Sequence, residues 1–297
     1  MLVFKRLVVI FLPLFVLMST ARKLAIVTGA NQGIGYCIAD QISKLQDIHV
    51  ILACRRSEAG NEAVNKLNRP NVEFMKLDIS DSKSIESFSN EFTNKYGKLD
   101  ILVNNAAIAF KGSDPTPFNQ QARPTISINY FGTLELTNKM LPLLRKTSEP
   151  RVVTVASMAG HLRILKTNEL KEYFEDNSNT LTIDEISKSL NSFITDVETE
   201  GEDNKWSKTC YGMSKLGVIA LTRTLHKNEL KRSNNEDGSN IQFHAFCPGY
   251  CNTSMTSNRG PKAPEDGAST GTFLATDASI TMNESGQFWQ DSKVVVW

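Results

Sequence analysis

Between residues 24 and 247, short apolar runs rich in β-branched residues alternate with longer mixed stretches of helical length. The runs cover residues 24–27, 50–53, 72–77, 101–103, 152–155 and 241–247. Strands joined by helix-length connections point to βαβ units and a parallel sheet. Their near-continuous hydrophobicity suits strands covered on both faces. A last run, residues 293–297, reads as an edge strand. At 297 residues, with 40% hydrophobic and 22% charged, the chain can bury one large core. The expectation is an α/β fold: a single doubly wound domain, residues 22–297, with a mainly parallel sheet.

Residues 161–208 interrupt the alternation with a polar, acidic stretch. Inside it, Thr182-Ile183-Asp184-Glu185 reads as a capping box, in which a Thr hydroxyl and a Glu carboxylate satisfy the first free N–H groups of a helix. Ile183, Ile186, Leu190, Phe193 and Val197 then recur at helical spacing. This is an inserted helix packed on the main body and ended near Gly201.

Residues 1–21 stand apart. Lys5-Arg6 precedes an apolar run to Met18 and the small residues Ser19-Thr20-Ala21. That pattern fits a signal peptide, a short membrane anchor, or an extension upstream of a start at Met18. Membrane association through residues 1–21, and a secretory or endoplasmic reticulum route, therefore stay open. The rest of the chain points to a cytoplasmic catalytic domain. Its five cysteines (Cys37, Cys54, Cys210, Cys247, Cys251) have no spacing that suggests a metal site or a disulfide framework. Reduced thiols follow. Lys+Arg (33) nearly balances Asp+Glu (32), so there is no basic excess for nucleic acid. A small-molecule partner fits better.

The first strand runs into Thr28-Gly29-Ala30-Asn31-Gln32-Gly33-Ile34-Gly35, which opens a helix. Glycines allow tight turns and close approach of a phosphate, and the free N–H groups of the helix end attract an anion. Gly29, Asn31, Gln32, Gly33, Ile34 and Gly35 are the expected contacts of a dinucleotide. The second strand ends in Ala53-Cys54-Arg55-Arg56, without the carboxylate that would accept from a ribose 2′-hydroxyl. Guanidinium groups bind phosphate through charge-assisted pairs. The expected cofactor is NADPH/NADP, held by Arg55 in preference to Arg56.

Tyr211 and Lys215 share one helix face at i, i+4 spacing. A free phenol has a pKa of about 10, and a nearby cation favours the phenolate. Tyr211 can then trade protons with a carbonyl or alcohol oxygen. Ser157 follows the run 152–155, at the carboxyl edge where open α/β sheets bind ligands, and its hydroxyl can polarise a substrate oxygen.

The turn Gly29-x-x-x-Gly33-x-Gly35 preceded by Thr28, with Asn104-Asn105-Ala106-Ala107, Asn129, Ser157, Tyr211-Gly212-Met213-Ser214-Lys215 and Pro248-Gly249, resembles the short-chain dehydrogenase/reductase family over residues 23–297. The resemblance implies a Rossmann fold and a catalytic set of Asn129, Ser157, Tyr211 and Lys215. Asn129 would hold a water in a proton relay to Lys215, which would also hold the nicotinamide ribose. It further implies that Asp78 and Ile79 flank the adenine and that Asn105 contacts the cofactor. Pro248, Gly249 and Thr253 would fix the nicotinamide ring. Ala107 stands where the family usually has glycine. The long insertion before Tyr211, the Arg ending the second strand and the final Trp297 resemble the carbonyl reductase branch. That branch implies a monomer reducing quinones, ketones and aldehydes. A membrane-associated retinoid or steroid dehydrogenase and an NADPH-binding sensor without turnover are the alternatives. Met158, Met213, Trp206 and Met255 suit either a substrate pocket or ordinary packing.

Overall fold

The computed structural model describes residues 22–176, 179–233 and 240–297, so the segment 1–21 with its three readings lies outside the described residues. The strands are β1 (Lys23–Thr28), β2 (Ile48–Cys54), β3 (Val72–Lys76), β4 (Ile101–Asn104), β5 (Arg151–Val155), β6 (Gln242–Cys247), β7 (Phe288–Gln290) and β8 (Lys293–Val294). Among the described residues they form one sheet in the order β3-β2-β1-β4-β5-β6-β7-β8, parallel throughout except for β8. The chain builds outward from β1 to β3 and then returns to the other side of β1 with β4. That reversal opens a crevice at the carboxyl ends of β1 and β4.

The helices are α1 (Gly33–Ser43), α2 (Ser57–Leu67), α3 (Ser82–Tyr96), α4 (Phe118–Ile126), α5 (Thr133–Leu144), α6 (Asn168–Glu175), α7 (Ile183–Glu200), α8 (Cys210–Ser233) and α9 (Pro264–Thr276). Strand residues alternate between two cores, as the pleat requires. Ala25 and Val27 of β1 pack with Ile38 and Ile42 of α1, Leu67 of α2 and Leu274 of α9. Leu24 and Ile26 pack on the other face with Phe88 and Phe92 of α3, Leu136 and Met140 of α5, and Leu216 of α8. A register slip of one residue would exchange these faces.

The capping box of α7 forms: the Thr182 hydroxyl accepts from the Glu185 N–H (3.2 Å), and the Glu185 carboxylate accepts from the Thr182 N–H (2.8 Å). Ile186, Leu190, Phe193, Ile194 and Val197 are buried as α7 packs on α4 and α8, and Gly201 ends the helix with φ +59°. The insertion is also pinned from below, where Lys227 donates to Asp176 (3.0 Å) and to the Leu181 carbonyl (2.7 Å). With that cover in place, every residue of α8 from Gly212 to Thr222 is buried. The insertion also contains α6, a short amphipathic helix capped by the Thr167 hydroxyl and burying Phe174.

The C-terminal run forms the expected edge strand, shorter than its apolar run: Lys293 and Val294 pair antiparallel to the three-residue β7, the Val295 N–H donates to the Phe288 carbonyl (2.8 Å), and the chain then turns Trp297 inward to 8% exposure. No helix among the described residues is long and apolar enough to cross a membrane.

Candidate active site

Thr28 ends β1 with its hydroxyl facing β4. That oxygen accepts from the N–H groups of Asn105 and Ala106 (both 2.9 Å), and the Asn105 amide donates to the Thr28 carbonyl (2.8 Å). The two strand ends are thereby fixed beside each other at the crevice. Gly29 (φ +63°) and Gly33 (φ +59°) make the following turn in the left-handed region that favours glycine. The α1 N-terminus carries no side-chain cap from Gln32 and no acid in its first turn. Its amide end is thus available to an anion. Gly29, Asn31, Gln32, Gly33 and Ile34 line the cleft. Gly35 does not. A Cβ there would lie 2.3 Å from the Asn105 amide nitrogen and 2.8 Å from the Gly29 carbonyl, so its place in the motif is a packing requirement.

Arg55, just past β2, lines the cleft, whereas Arg56 does not. The Arg55 guanidinium is 69% exposed and lies 4.0 Å from the Asp78 carboxylate. Asp78 itself accepts from the N–H (3.0 Å) and hydroxyl (2.6 Å) of Ser80, which holds it at the end of β3. Ile79 and Asn105 complete this half of the cleft. Leu77 and Ser80 line it as well, placed by the strand end rather than by any motif.

Ser157 follows β5 and caps the short 3-10 turn Met158–Gly160, its hydroxyl accepting from the Ala159 N–H (3.1 Å). Tyr211, in the first turn of α8, faces the same cleft, as does Lys215 one turn later. Burial pushes the Tyr211 phenol up to about 12, Cys247 adds to the rise, and the Ser157 hydroxyl pulls it back. Burial pushes the Lys215 ammonium down to about 8, with Cys247 opposing. The Lys215 Nζ donates to the Val155 carbonyl (2.7 Å) and lies 5.6 Å from the centre of the Tyr211 ring. Cys247, at the end of β6, is the ionisable neighbour that both groups feel, and no motif pointed to it.

Asn129 lies outside the cleft lining, in the π-helical turn Ser127–Gly132 between α4 and α5. Its side-chain oxygen accepts from the Ile108 N–H (2.8 Å), and its amide donates to the Ile108 carbonyl and the Ser214 hydroxyl (both 2.9 Å). These bonds tie the loop after β4 to α8.

Pro248, Gly249 and Thr253 form the remaining wall, with Cys251 and Met255 beside them. Gly249 has φ +85°, and the Lys262 side chain lies over it while pairing with Asp291 (2.6 Å). Of the four apolar residues left open between pocket and packing, only Met255 lines the cleft. Met213 is fully buried, Met158 packs against the core, and Trp206 is buried with its indole donating to Asp196 (2.7 Å).

The short chain dehydrogenase family profile matches residues 23–168. Carbonyl reductase [NADPH] 1 of Mus musculus is 39% identical over 286 residues, covering 94% of this chain and all of that protein. The Homo sapiens protein of the same name is 37% identical with the same coverage. Among solved structures, salutaridine reductase from Papaver somniferum superposes with a TM-score of 0.78 at 29% identity, covering 91% of this chain and all of that one. Matched along nearly its whole length at 37–39% identity, this chain belongs to the short-chain dehydrogenase/reductase family, in its carbonyl reductase branch.

Proposed function

We propose that the protein reduces carbonyl compounds to alcohols with NADPH and that Tyr211 is the general acid. The observation that carries this reading is a single cleft containing both an uncapped helix N-terminus with an exposed Arg55 and the Ser157–Tyr211–Lys215 group.

The residues present fit the cofactor. The amide end of α1 and the glycine turn suit a pyrophosphate, and Arg55 suits a 2′-phosphate. Asp78, Ile79 and Asn105 would flank the adenosine half, and Lys215, Pro248, Gly249 and Thr253 the nicotinamide half. Bound there, NADPH supplies the hydride that reduces the carbonyl carbon.

The chain's own groups manage the oxygen. Ser157 donates to the carbonyl oxygen and holds it at Tyr211. Burial keeps Tyr211 protonated at neutral pH, the form required to give a proton to a developing alkoxide. The Lys215 ammonium lowers the cost of the phenolate left behind. The Asn129 side chain is bonded to Ile108 and Ser214, so a relay water here would take the remaining lone pair of Oδ1. The lining around Met255, Ile108 and Ile128 is uncharged, which favours neutral quinones, ketones and aldehydes.

In this reading residues 22–297 are one catalytic domain with the insertion 161–208. The insertion covers α4 and α8 and thereby favours a monomer. The five cysteines are free and suit a reducing, cytoplasmic setting. The test is reduction of a small quinone by the purified protein, NADPH against NADH, beside Tyr211→Phe. The expected outcome is a preference for NADPH and a loss of about 10²–10⁴ in rate for the variant. Tight NADPH binding without turnover across quinones and ketones would instead make the protein a cofactor sensor.

A further inference from the structure

The last residue of the chain reaches back to the turn that carries Ser157. The Trp297 indole N–H donates to the Gly160 carbonyl (2.9 Å), a buried bond across most of the C-terminal half of the sequence. Gly160 closes the 3-10 turn that Ser157 caps, its N–H donating to the Ser157 carbonyl (2.8 Å). The turn lies directly on the catalytic helix. A Cβ on Gly160 would lie 2.5 Å from the backbone of Lys215 and Leu216, and one on Gly212 would lie 2.6 Å from the Ala159 carbonyl. Trp297 is in turn held on α8, where the Arg223 guanidinium stacks 5.0 Å from its ring centre.

The indole therefore bridges two bodies whose relative placement determines where the Ser157 hydroxyl meets Tyr211. One is the turn after β5, and the other is α8. Without the indole donor, the Gly160 carbonyl is buried without that partner, and the turn is released to move away from α8 to find water. Ser157 sits at the opposite end of the same single turn, so its hydroxyl moves with it.

From this geometry we infer that Trp297 is a positioning residue, which sets the reach of the Ser157 hydroxyl to the substrate oxygen through the Gly160 carbonyl. The inference rests on the reading of Ser157 and Tyr211 as the groups that handle the carbonyl oxygen. It gives Trp297 a part in the working site although the residue does not line the cleft.

The test is a double-mutant cycle on the full chain, read by single-turnover reduction of a small quinone with NADPH in excess. Trp297→Phe keeps an aromatic ring against Arg223 and removes the donor. It is expected to slow the chemical step about fivefold, the worth of one neutral hydrogen bond, with NADPH affinity unchanged. In a Ser157→Ala background the same change is expected to alter the rate by less than about twofold, because the group through which it acts is gone. Equal slowing in both backgrounds would show a general structural role and overturn the inference while leaving the catalytic reading intact. Unchanged chemistry in Trp297→Phe would overturn it too. Little loss in Ser157→Ala alone would remove the catalytic reading and this inference with it. Should the Phe variant fold poorly, benzothienylalanine can be ligated at this terminal position. It keeps the bicyclic shape and lacks the N–H, and the same slowing is expected of it.

Discussion

Lys215 owes its character to where α8 lies. Its ammonium is buried against β5, where it donates to the Val155 carbonyl, and burial lowers its pKa to about 8. In the proposed reaction the charge present below that pH would ease proton loss from Tyr211, and above it the phenolate would lack this counter-charge. The kcat/KM for carbonyl reduction is therefore expected to fall as pH rises through about 8. In Lys215→Arg, whose guanidinium does not titrate there, the remaining activity is expected to show the fall displaced upward. A native profile flat from pH 7 to 10 would remove Lys215 from this role. Arg55, in contrast, is exposed, and the proposed function gives it a part only in holding the cofactor. Arg55→Ala is expected to raise the KM for NADPH about tenfold, the worth of one hydrogen bond to a charged group, while the KM for NADH stays within about twofold. Steady-state kinetics with both nucleotides decides it.

Among the elements, α7 was the most legible part of the insertion, because its two signals are local. A capping box needs four consecutive residues, and an apolar stripe needs only helical periodicity. What α7 packs on was not legible, since the grooves of α4 and α8 are assembled from distant segments. Phe193 is fully buried in that contact. Phe193→Ala is expected to cost about 3–5 kcal/mol by urea denaturation, the usual penalty for an emptied aromatic site. A loss below about 1 kcal/mol would mean that α7 is only loosely held. Two short elements escaped the sequence reading for the opposite reason. β7 has three residues, too few for any period, and α6 is a single amphipathic stretch without a strong stop signal. Both are defined by the partners that flank them.

For the molecule as a whole, the parallel sheet buries side chains on both faces, and with them a histidine that no motif singles out. His244 of β6 is fully buried, edge-on to Trp289, with its ring nitrogen 3.3 Å from the Gln242 side-chain oxygen. Burial, reinforced by Arg151, pushes its pKa down to about 3. The unfolded chain binds a proton on this ring near pH 6.5, and the folded chain does so only near 3. Stability is accordingly lost as pH falls below 6.5. His244→Gln is expected to flatten the dependence of the urea midpoint on pH between 7 and 4.5; an unchanged slope would place the acid sensitivity elsewhere, His49, His161 and His226 also being held down by burial.

Read without a structure, the chain already determined the α/β class, the glycine turn, the missing carboxylate at the end of β2 and the Tyr211–Lys215 spacing. Each of these depends on neighbours along the chain, where periodicity, φ freedom and side-chain charge act within a few residues. Only the tertiary structure decided that Gly35 serves packing, that the Asn129 side chain is bonded to Ile108 and Ser214 outside the cleft, and that Met213 and Trp206 belong to the interior. It alone brought Cys247 beside Tyr211 and Lys215, set Lys262 and Asp291 over Gly249, and returned Trp297 to Gly160. These contacts join residues far apart in sequence. Their geometry follows from strand order and from which apolar faces meet, and neither leaves a local trace in the residues that finally touch.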